Sequence, residues 1–310
     1  MIQKPMDVLD SFPIRKSKKQ KQAFRDAVQS YARSIGYRCN VEKGSFGSHN
    51  VVLGDPDQAK FLITAHYDTC AHLPFPNLIT PCNFWAFLAY QLFVTAVMLL
   101  PPVVLGILVG AVTQSFDAGY FVGYFAFLGM FLLMMFGPAN RQNANDNTSG
   151  VVTLLEIAAA LPQQLRDKVC FVLFDLEEAG LVGSSSYRVK HKKATASQVV
   201  LNLDCVGDGD HLLLVPTGKL KKNKEAMAFF KKHCAGYGAK TVALRDRGFS
   251  VYPSDQANFP YGMGICALHS SKAGLYMSRI HTNRDTILEK ENVNILRDTL
   301  IAMIADAAEG

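Results

Sequence analysis

Val169–Ser186 reads VCFVLFDLEEAGLVGSSS, and this stretch indicates the fold class. Its first six residues, Val169–Phe174, form a compact apolar run of the kind that predicts a strand buried on both faces. The acidic segment Asp175–Glu178 follows directly, and we predict that a helix begins near Leu181. A buried strand that leads through acidic residues into a helix is typical of α/β proteins, whose ligands bind beyond the carboxyl ends of the strands.

The same alternation of strands and helices recurs along the chain. Short apolar or alternating runs predict further strands at Tyr37–Val41, Asn50–Leu53, Phe61–Ala65, Val199–Leu203, Leu212–Val215, Thr241–Leu244 and Ile265–Leu268. Helical patterns lie at Ser17–Ile35, Thr148–Leu161, Lys222–Cys234 and Val293–Ala308. Together these elements predict an α/β fold with a mixed, largely parallel sheet flanked by helices.

A long uncharged region interrupts this pattern. No Asp, Glu, Lys or Arg occurs between Asp68 and Asp117, and the segments Asn83–Val112 and Gly119–Gly137 are almost wholly apolar. Each segment is long enough to cross a bilayer, which needs about 20 apolar residues per helix. We therefore predict an inserted two-helix transmembrane hairpin over residues 83–137. The alternative is a buried helical pair in a large soluble core, where such long uncharged runs are rare.

Composition and charge indicate the compartment. The chain has 310 residues, 49% of them hydrophobic, which excludes disorder and a small disulfide scaffold. We expect one domain formed by residues 1–82 and 138–310. These two parts of the chain, on either side of the hairpin, are rich in Lys and Arg, whereas the turn of the hairpin has none. The positive-inside rule then places this domain on the cytoplasmic side of a membrane. Seven widely spaced cysteines agree with a reducing compartment, and the expected partner is a lipid bilayer rather than nucleic acid.

Acidic and histidine residues gather at the predicted strand ends. The strand at Phe61–Ala65 leads into His66 and Asp68, and Val199–Leu203 leads into Asp204. Asp146 precedes a predicted helix, and His281 lies in a short polar motif. Each residue alone is most often a cap or a solvated group. Several carboxylates at one edge would repel one another, however, and a divalent metal ion would offset that repulsion.

The motifs resemble family twenty-eight of the metallopeptidases, the co-catalytic zinc aminopeptidase family. The residues that carry the resemblance are His66-x-Asp68, Asn145-Asp146-Asn147-Thr148-Ser149-Gly150, Glu177-Glu178-x-Gly180-Leu181-x-Gly183-Ser184, Asp204 and His281-Thr282-x-x-Asp285-Thr286. The resemblance covers nearly all of the predicted soluble domain. It implies a mixed eight-stranded sheet flanked by helices and two zinc ions per chain.

The resemblance also implies a role for each motif residue. His66 and Asp204 would hold one zinc ion, Glu178 and His281 the other, and Asp146 would bridge the two. Two further residues would act beside the metals: Asp68 would orient His66, and Glu177 would be the general base. Because Glu177 would take a proton from water and deliver it to the leaving amine, it has to stay free of metal.

The implied function is a membrane-anchored aminopeptidase that removes N-terminal residues from peptides. A glutaminyl cyclase, which shares the fold and uses one zinc ion for acyl transfer, is the enzymatic alternative. Such cyclases tend to have a tryptophan near the metal, whereas the single tryptophan here, Trp85, lies in the insert. A non-catalytic, membrane-tethered binding module would be expected to have lost ligand positions, and all five are intact.

Two departures from the family pattern bear on substrates. Family members commonly have Ser-Asp-His where this chain has Ser254-Asp255-Gln256, so substrate preference is left open. The second departure is the 80 positions between His66 and Asp146, which hold the predicted hairpin. One hypothesis is that the hairpin restricts access to short or membrane-associated peptides, with Thr69–Asn83 as a wall of the cleft. The alternative is a neutral anchor at a tolerant loop.

Overall fold

The architecture is a mixed sheet flanked by helices, as the sequence predicts. The computed structural model describes residues 2–272 and 274–309. Eight strands of five or more residues occur in that part of the chain: β1 (Cys39–Lys43), β2 (His49–Leu53), β3 (Phe61–His66), β4 (Val169–Phe174), β5 (Val199–Leu203), β6 (His211–Pro216), β8 (Lys240–Leu244) and β9 (Gly262–Ser271). Two short strands that the sequence analysis did not predict, β7 (Gly236–Tyr237) and β10 (Gly274–Tyr276), are too short to show alternation.

The strand order places the predicted acidic residues at one edge. The order is β1-β2-β4-β3-β5-β9-β6-β8-β7, and β10 pairs with β9. The central neighbours β4, β3, β5 and β9 run parallel, while β2 and β6 pair antiparallel with this centre. The carboxyl ends of β3, β4 and β5 therefore meet at one edge, where ligand sites form in α/β sheets.

The helices cover the sheet, and those predicted from the sequence begin close to their expected positions, whereas α1 and α7 were not predicted. They are α1 (Asp7–Ser11), α2 (Lys18–Ser34), α5 (Gly150–Ala160), α6 (Val182–Lys190), α7 (Gly218–Lys221), α8 (Lys224–Lys232) and α9 (Lys290–Glu309). The hydroxyl of Ser17 accepts a hydrogen bond from the Gln20 amide, and Gln20 accepts one from Ser17, which forms a capping box at α2. Helix α5 begins two residues later than predicted because Ala144–Ser149 forms an irregular turn.

Two apolar helices project from this domain as a hairpin. Helix α3 (Phe84–Thr113) continues through Pro101 and Pro102, and α4 (Phe116–Phe136) follows after a short turn at Gln114 and Ser115. In the most apolar 18-residue stretch of each helix, only 11% (α3) and 6% (α4) of the stretch is buried inside the protein. Both helices are long and apolar enough to cross a membrane.

Paired glycines bring the two helices into contact. Gly106 and Gly110 of α3 face Gly119 and Gly123 of α4, each pair spaced four residues apart. A Cβ atom added at Gly119 would lie 2.5 Å from the carbonyl oxygen of Gly106. The backbones therefore approach more closely than any larger side chain permits, as in membrane helix pairs with small residues at this spacing.

Candidate metal centre

The strand ends bring the first group of predicted ligands together. His66 is the last residue of β3, and Asp204 follows β5 directly. His66 Nε2 lies 3.3 Å from Asp146 Oδ1 and 3.5 Å from Asp204 Oδ1, and all three side chains are buried. One ligand atom from each residue lies within 4.8 Å of the other two, so these residues form a candidate metal-binding group.

A second group lies on the other side of Asp146. His281 Nε2 is 2.9 Å from Asp146 Oδ2 and 3.5 Å from Glu178 Oε2. Asp146 thus offers one carboxylate oxygen to His66 and the other to His281. The thiol of Cys70 joins Glu178 and His281 within the same 4.8 Å limit. Cys70 is not among the metal ligands predicted from the sequence.

Asp68 supports the first group in a way that its motif does not specify. Its Oδ1 atom lies 3.6 Å from His66 Nδ1, too far for a hydrogen bond, and Nδ1 is closer to the backbone oxygen of Asp68, at 3.2 Å. The carboxylate instead accepts hydrogen bonds from the backbone amides of Glu177 and Glu178, at 3.0 Å and 3.3 Å. Asp68 therefore positions the loop that carries both glutamates as well as lying beside His66.

Asp285 does the same for the loop of Asp146. Its two carboxylate oxygens accept hydrogen bonds from the backbone amides of Asn145 and Asp146, at 2.7 Å and 3.0 Å. The side chain of Asn147 links the same loop to β5 by donating to the Leu203 carbonyl at 2.9 Å. Asp285 belongs to one of the family motifs, but its role could not be predicted, because hydrogen bonds across 140 positions leave no local pattern in the sequence.

Arg15 is a further supporting residue that no sequence pattern indicates. Its guanidinium is buried and donates hydrogen bonds to the backbone oxygen of Tyr67, between His66 and Asp68, and to Thr148 Oγ1 at 3.1 Å. Burial lowers the pKa of Arg15 to about 10, against the nearby negative charges that favour its cation. In sequence, Arg15 is one of several basic residues near the N-terminus, which an exposed segment would also carry.

The concentration of carboxylates changes the proton affinity of the whole group. Burial raises the pKa of Glu178 to about 8, and it raises that of Glu177 well above its usual range. Burial lowers the proton affinity of His281, but the charge of Glu178 and the hydrogen bond to Asp146 outweigh it and bring its pKa to about 9. Protons therefore compensate the negative charge when no cation is bound.

The residues present fit zinc. The buried atoms Glu178 Oε1 and Asp204 Oδ1 have no hydrogen-bonding partner within the described residues, which is costly unless a ligand satisfies them. Histidine nitrogen and carboxylate oxygen are donors that zinc accepts. The cluster is therefore suited to hold a divalent cation, with Asp146 between its two halves.

A cleft of about 400 Å³ opens beside this cluster. Asn77 and Ile79, from the segment that precedes the hairpin, lie in its lining together with Tyr252. Gln256 is not in the lining, because its side chain accepts a hydrogen bond from Asn202 and donates one to the backbone oxygen of Tyr252. Gln256, at the position where the family commonly has histidine, thus supports the loop of Tyr252 and lies outside the cleft lining.

Comparison with known proteins identifies the family. A sequence model of peptidase family M28 matches residues 130–304, more than half of the chain. The chain belongs to peptidase family M28. Aminopeptidase YwaD of Bacillus subtilis (strain 168) is 45% identical over 67 residues, which are 21% of this chain and 15% of that protein. The chain thus spans a small part of the curated relative that it matches.

Solved structures agree with this M28 assignment at the level of the fold. A Zn-dependent exopeptidase from Parabacteroides distasonis superposes with a TM-score of 0.57 at 16% identity, covering 96% of this chain and 93% of that one. A glutaminyl cyclase from Bacteroides thetaiotaomicron gives 0.58 at 15% identity, covering 97% and 94%. At these identities the likeness shows the fold alone. The M28 family implies zinc for the cluster described above.

Proposed function

We propose that this M28 protein is a membrane-anchored, dinuclear zinc exopeptidase that acts as an aminopeptidase on peptides. The observation that carries the proposal is the position of Asp146, with one carboxylate oxygen toward His66 and the other toward His281. His66 and Asp204 would hold one zinc ion, and Glu178 and His281 the other. Asp146 would be shared by both ions, because a single carboxylate can bridge two metals.

Glu177 is the proposed general base. Zinc ions, when bound, polarise a peptide carbonyl and lower the pKa of water. The carboxylate of Glu177 takes a proton from the attacking water and then donates it to the leaving amine. Asp68 fixes the backbone amide of Glu177 at 3.0 Å, which keeps this side chain beside the cluster. Its raised pKa suits a group that has to hold the proton between these two steps.

Replacing Glu177 tests the proposal. Glu177→Gln should retain zinc while losing turnover by a factor of about 10²–10⁴, the usual contribution of general acid–base catalysis. Zinc per chain by atomic absorption and the release of free amino acids from a peptide panel measure the two effects. Retained turnover in a zinc-loaded Glu177→Gln protein would contradict the assigned role.

Glutaminyl cyclase activity is the second candidate, because a cyclase is among the structures that share this fold. Trp85 argues against it, since this tryptophan lies in α3, is 74% exposed and does not line the cleft. A peptide with N-terminal glutamine separates the two reactions. An aminopeptidase releases free glutamine, whereas a cyclase releases ammonia and leaves the peptide chain intact.

The membrane part of the proposal rests on α3 and α4, and the sidedness rests on charge. Arg141 lies four residues beyond the hairpin, Lys16 donates a hydrogen bond to the backbone of its last helical turn, and the turn between the two helices contains no Lys or Arg. We infer that the catalytic domain faces the cytoplasm. Extraction with carbonate followed by detergent tests anchoring, and protease protection of a C-terminal tag in intact cells tests the side. Release by carbonate alone would contradict membrane insertion.

A further inference from the structure

The substrate cleft is lined in part by the hairpin itself. Phe131 and Met135 of α4 lie in the lining of the same cavity as His66 and His281. The two residues are one helical turn apart and thus lie on one face of α4. Phe131 is 45% exposed, so part of its ring is free of contacts within the protein. A hairpin that served only as an anchor would have no reason to place side chains beside the metal cluster.

Several contacts fix this end of the hairpin against the domain. The ammonium of Lys16 donates a hydrogen bond to the backbone oxygen of Met135 at 3.0 Å. At the start of α3, Phe84 and Phe87 pack on the ring of Phe249, with centroids 5.3 Å and 5.9 Å away. The hydroxyl of Tyr90 donates to the Pro76 backbone at 3.0 Å. Contacts made by both α3 and α4 therefore hold the end of α4 in place beside the cavity.

The chain segments on either side of the hairpin are also paired. Ala71 and Ala139 form an antiparallel bridge, so the chain leaves and rejoins the domain at adjacent positions. The amide of Leu73 donates to the backbone oxygen of His281 at 2.9 Å. Beyond it, Ile79 pairs with Met277. The base of the hairpin is thus bonded directly to the segment that carries a predicted metal ligand.

Helix lengths place the cleft at the membrane surface. At 1.5 Å per residue, α4 with its 21 residues is about 31 Å long, which matches a hydrocarbon core of about 30 Å. Met135 is the residue before the last of this helix, so it lies at the boundary of that core, and Phe131 lies about 6 Å farther in. Helix α3 is longer by nine residues, and its first part, residues 84–93, carries the aromatic side chains that suit the interfacial layer.

We propose that the end of α4 is a wall of the substrate site, so that the enzyme selects peptide N-termini presented at the membrane surface. This inference rests on the proposed exopeptidase function and names its substrate class. Phe131 and Met135 are the specificity-determining residues, and they contact the substrate side chain next to the scissile bond. The carboxylates of the metal cluster attract the α-amino group of the peptide, and the apolar wall of α4 contacts a large apolar side chain of its first residue.

Substitutions in α4 test the wall. In zinc-loaded protein reconstituted into phosphatidylcholine vesicles, Phe131→Ala with Met135→Ala should lower the ratio of kcat/KM for N-terminal leucine over alanine by about tenfold. The matched control is Phe125→Ala with Leu132→Ala, two exposed residues of α4 outside the cleft, which should leave this ratio unchanged. An unchanged ratio in the cleft variant, or an equal change in the control, would overturn the proposal.

A binding measurement separates this inference from catalysis. A non-cleavable peptide analogue with N-terminal leucine should slow alkylation of Met135→Cys, located by mass spectrometry, and should not slow that of Leu132→Cys. Protection of Met135→Cys in a protein that cleaves no peptide would leave the wall standing while the exopeptidase proposal fails. Absence of protection in an active protein would overturn the wall alone.

A spacer series tests the position of the cleft. Peptides with N-terminal leucine and a C-terminal lipid are anchored in the same vesicles through spacers of about 6, 12 and 24 residues. An extended residue spans at most about 3.6 Å, so six residues reach about 20 Å from the surface. Cleavage that is already efficient with the shortest spacer supports a cleft at the surface. Cleavage that needs the longest spacer would overturn it.

Discussion

The substitution Asp68→Asn tests whether Asp68 supports zinc binding as well as the stability of the fold. The carboxylate of Asp68 accepts two backbone hydrogen bonds with two different oxygens, from Glu177 at 3.0 Å and from Glu178 at 3.3 Å. An amide has one oxygen, so its NH₂ group must face one of these N–H donors. The substitution therefore removes one hydrogen bond and the negative charge beside His66, at nearly constant volume.

The magnitude follows from these two losses. The amides of Glu177 and Glu178 are half-buried, so leaving one unpaired should cost about 1 kcal/mol of the free energy of unfolding, the low end of the range for buried groups. Loss of a carboxylate that supports a metal-binding histidine typically weakens metal affinity by a factor of about 10–100. We expect both effects in Asp68→Asn. Denaturant unfolding of the metal-free protein measures the first, and zinc competition with a chromophoric chelator measures the second.

Asp175→Asn is the matched control. Asp175 is also a buried carboxylate at the end of a central strand, and it accepts hydrogen bonds from Lys21 at 2.7 Å and from the His49 amide at 3.0 Å. Asp175 also accepts a hydrogen bond from the Leu176 amide at 3.0 Å, but within the described residues it has no hydrogen bond or ion pair to a proposed ligand. Its substitution should therefore lower the free energy of unfolding and weaken zinc affinity far less than Asp68→Asn. Equal zinc affinity in Asp68→Asn and the wild type, or equal weakening in both variants, would refute the reasoning.

Three further predictions follow from the cluster and the hairpin. Asp146→Ala should lose zinc as well as turnover, and two tightly bound ions per chain in atomic absorption would contradict a shared ligand. Because the pKa values of Glu178 and His281 are raised to about 8 and about 9, both groups hold protons at neutral pH and must release them to bind a cation. Zinc titration should therefore release more protons, with lower affinity, at pH 6.5 than at pH 8.5, and equal release observed with a pH indicator would contradict this. Gly119→Leu should lower the midpoint of thermal unfolding in detergent, because even its Cβ atom would overlap the backbone of α3. A Cβ atom at Gly129 would have nothing within 4 Å, so Gly129→Leu should leave the midpoint unchanged. Equal midpoints for the two variants would contradict close packing of the helices.

The fold and the position of the metal cluster were predictable for a physical reason. Compact apolar runs identify buried strands, and the carboxyl ends of parallel strands share one edge of the sheet. His66 ends one such run and Asp204 directly follows another, so the sequence alone predicts that the two side chains lie close together. Their separation, 3.5 Å between His66 Nε2 and Asp204 Oδ1, agrees with that expectation.

The supporting contacts could not be predicted in the same way. Asp285 and Arg15 act through hydrogen bonds to backbone groups more than 50 positions away. Such contacts depend on loop conformation and have no period along the sequence. The irregular turn Ala144–Ser149 likewise contradicts the helical pattern of its residues, which places the start of the predicted helix two positions too early. The hydrogen bonds that hold the Asp146 loop outweigh the local helical propensity of these residues.

The role of α4 is hidden from sequence for another reason. A spanning helix is apolar around its whole circumference, so periodicity gives Phe131 no different status from Phe125. Only the point of insertion carries information, since the hairpin leaves the domain soon after His66 and returns shortly before Asp146. Because the Ala71–Ala139 bridge closes its base and Leu73 bonds the backbone of His281, the hairpin cannot shift without moving that segment. The proposed membrane anchor and the proposed wall of the metal-site cleft therefore belong to one connected part of the structure.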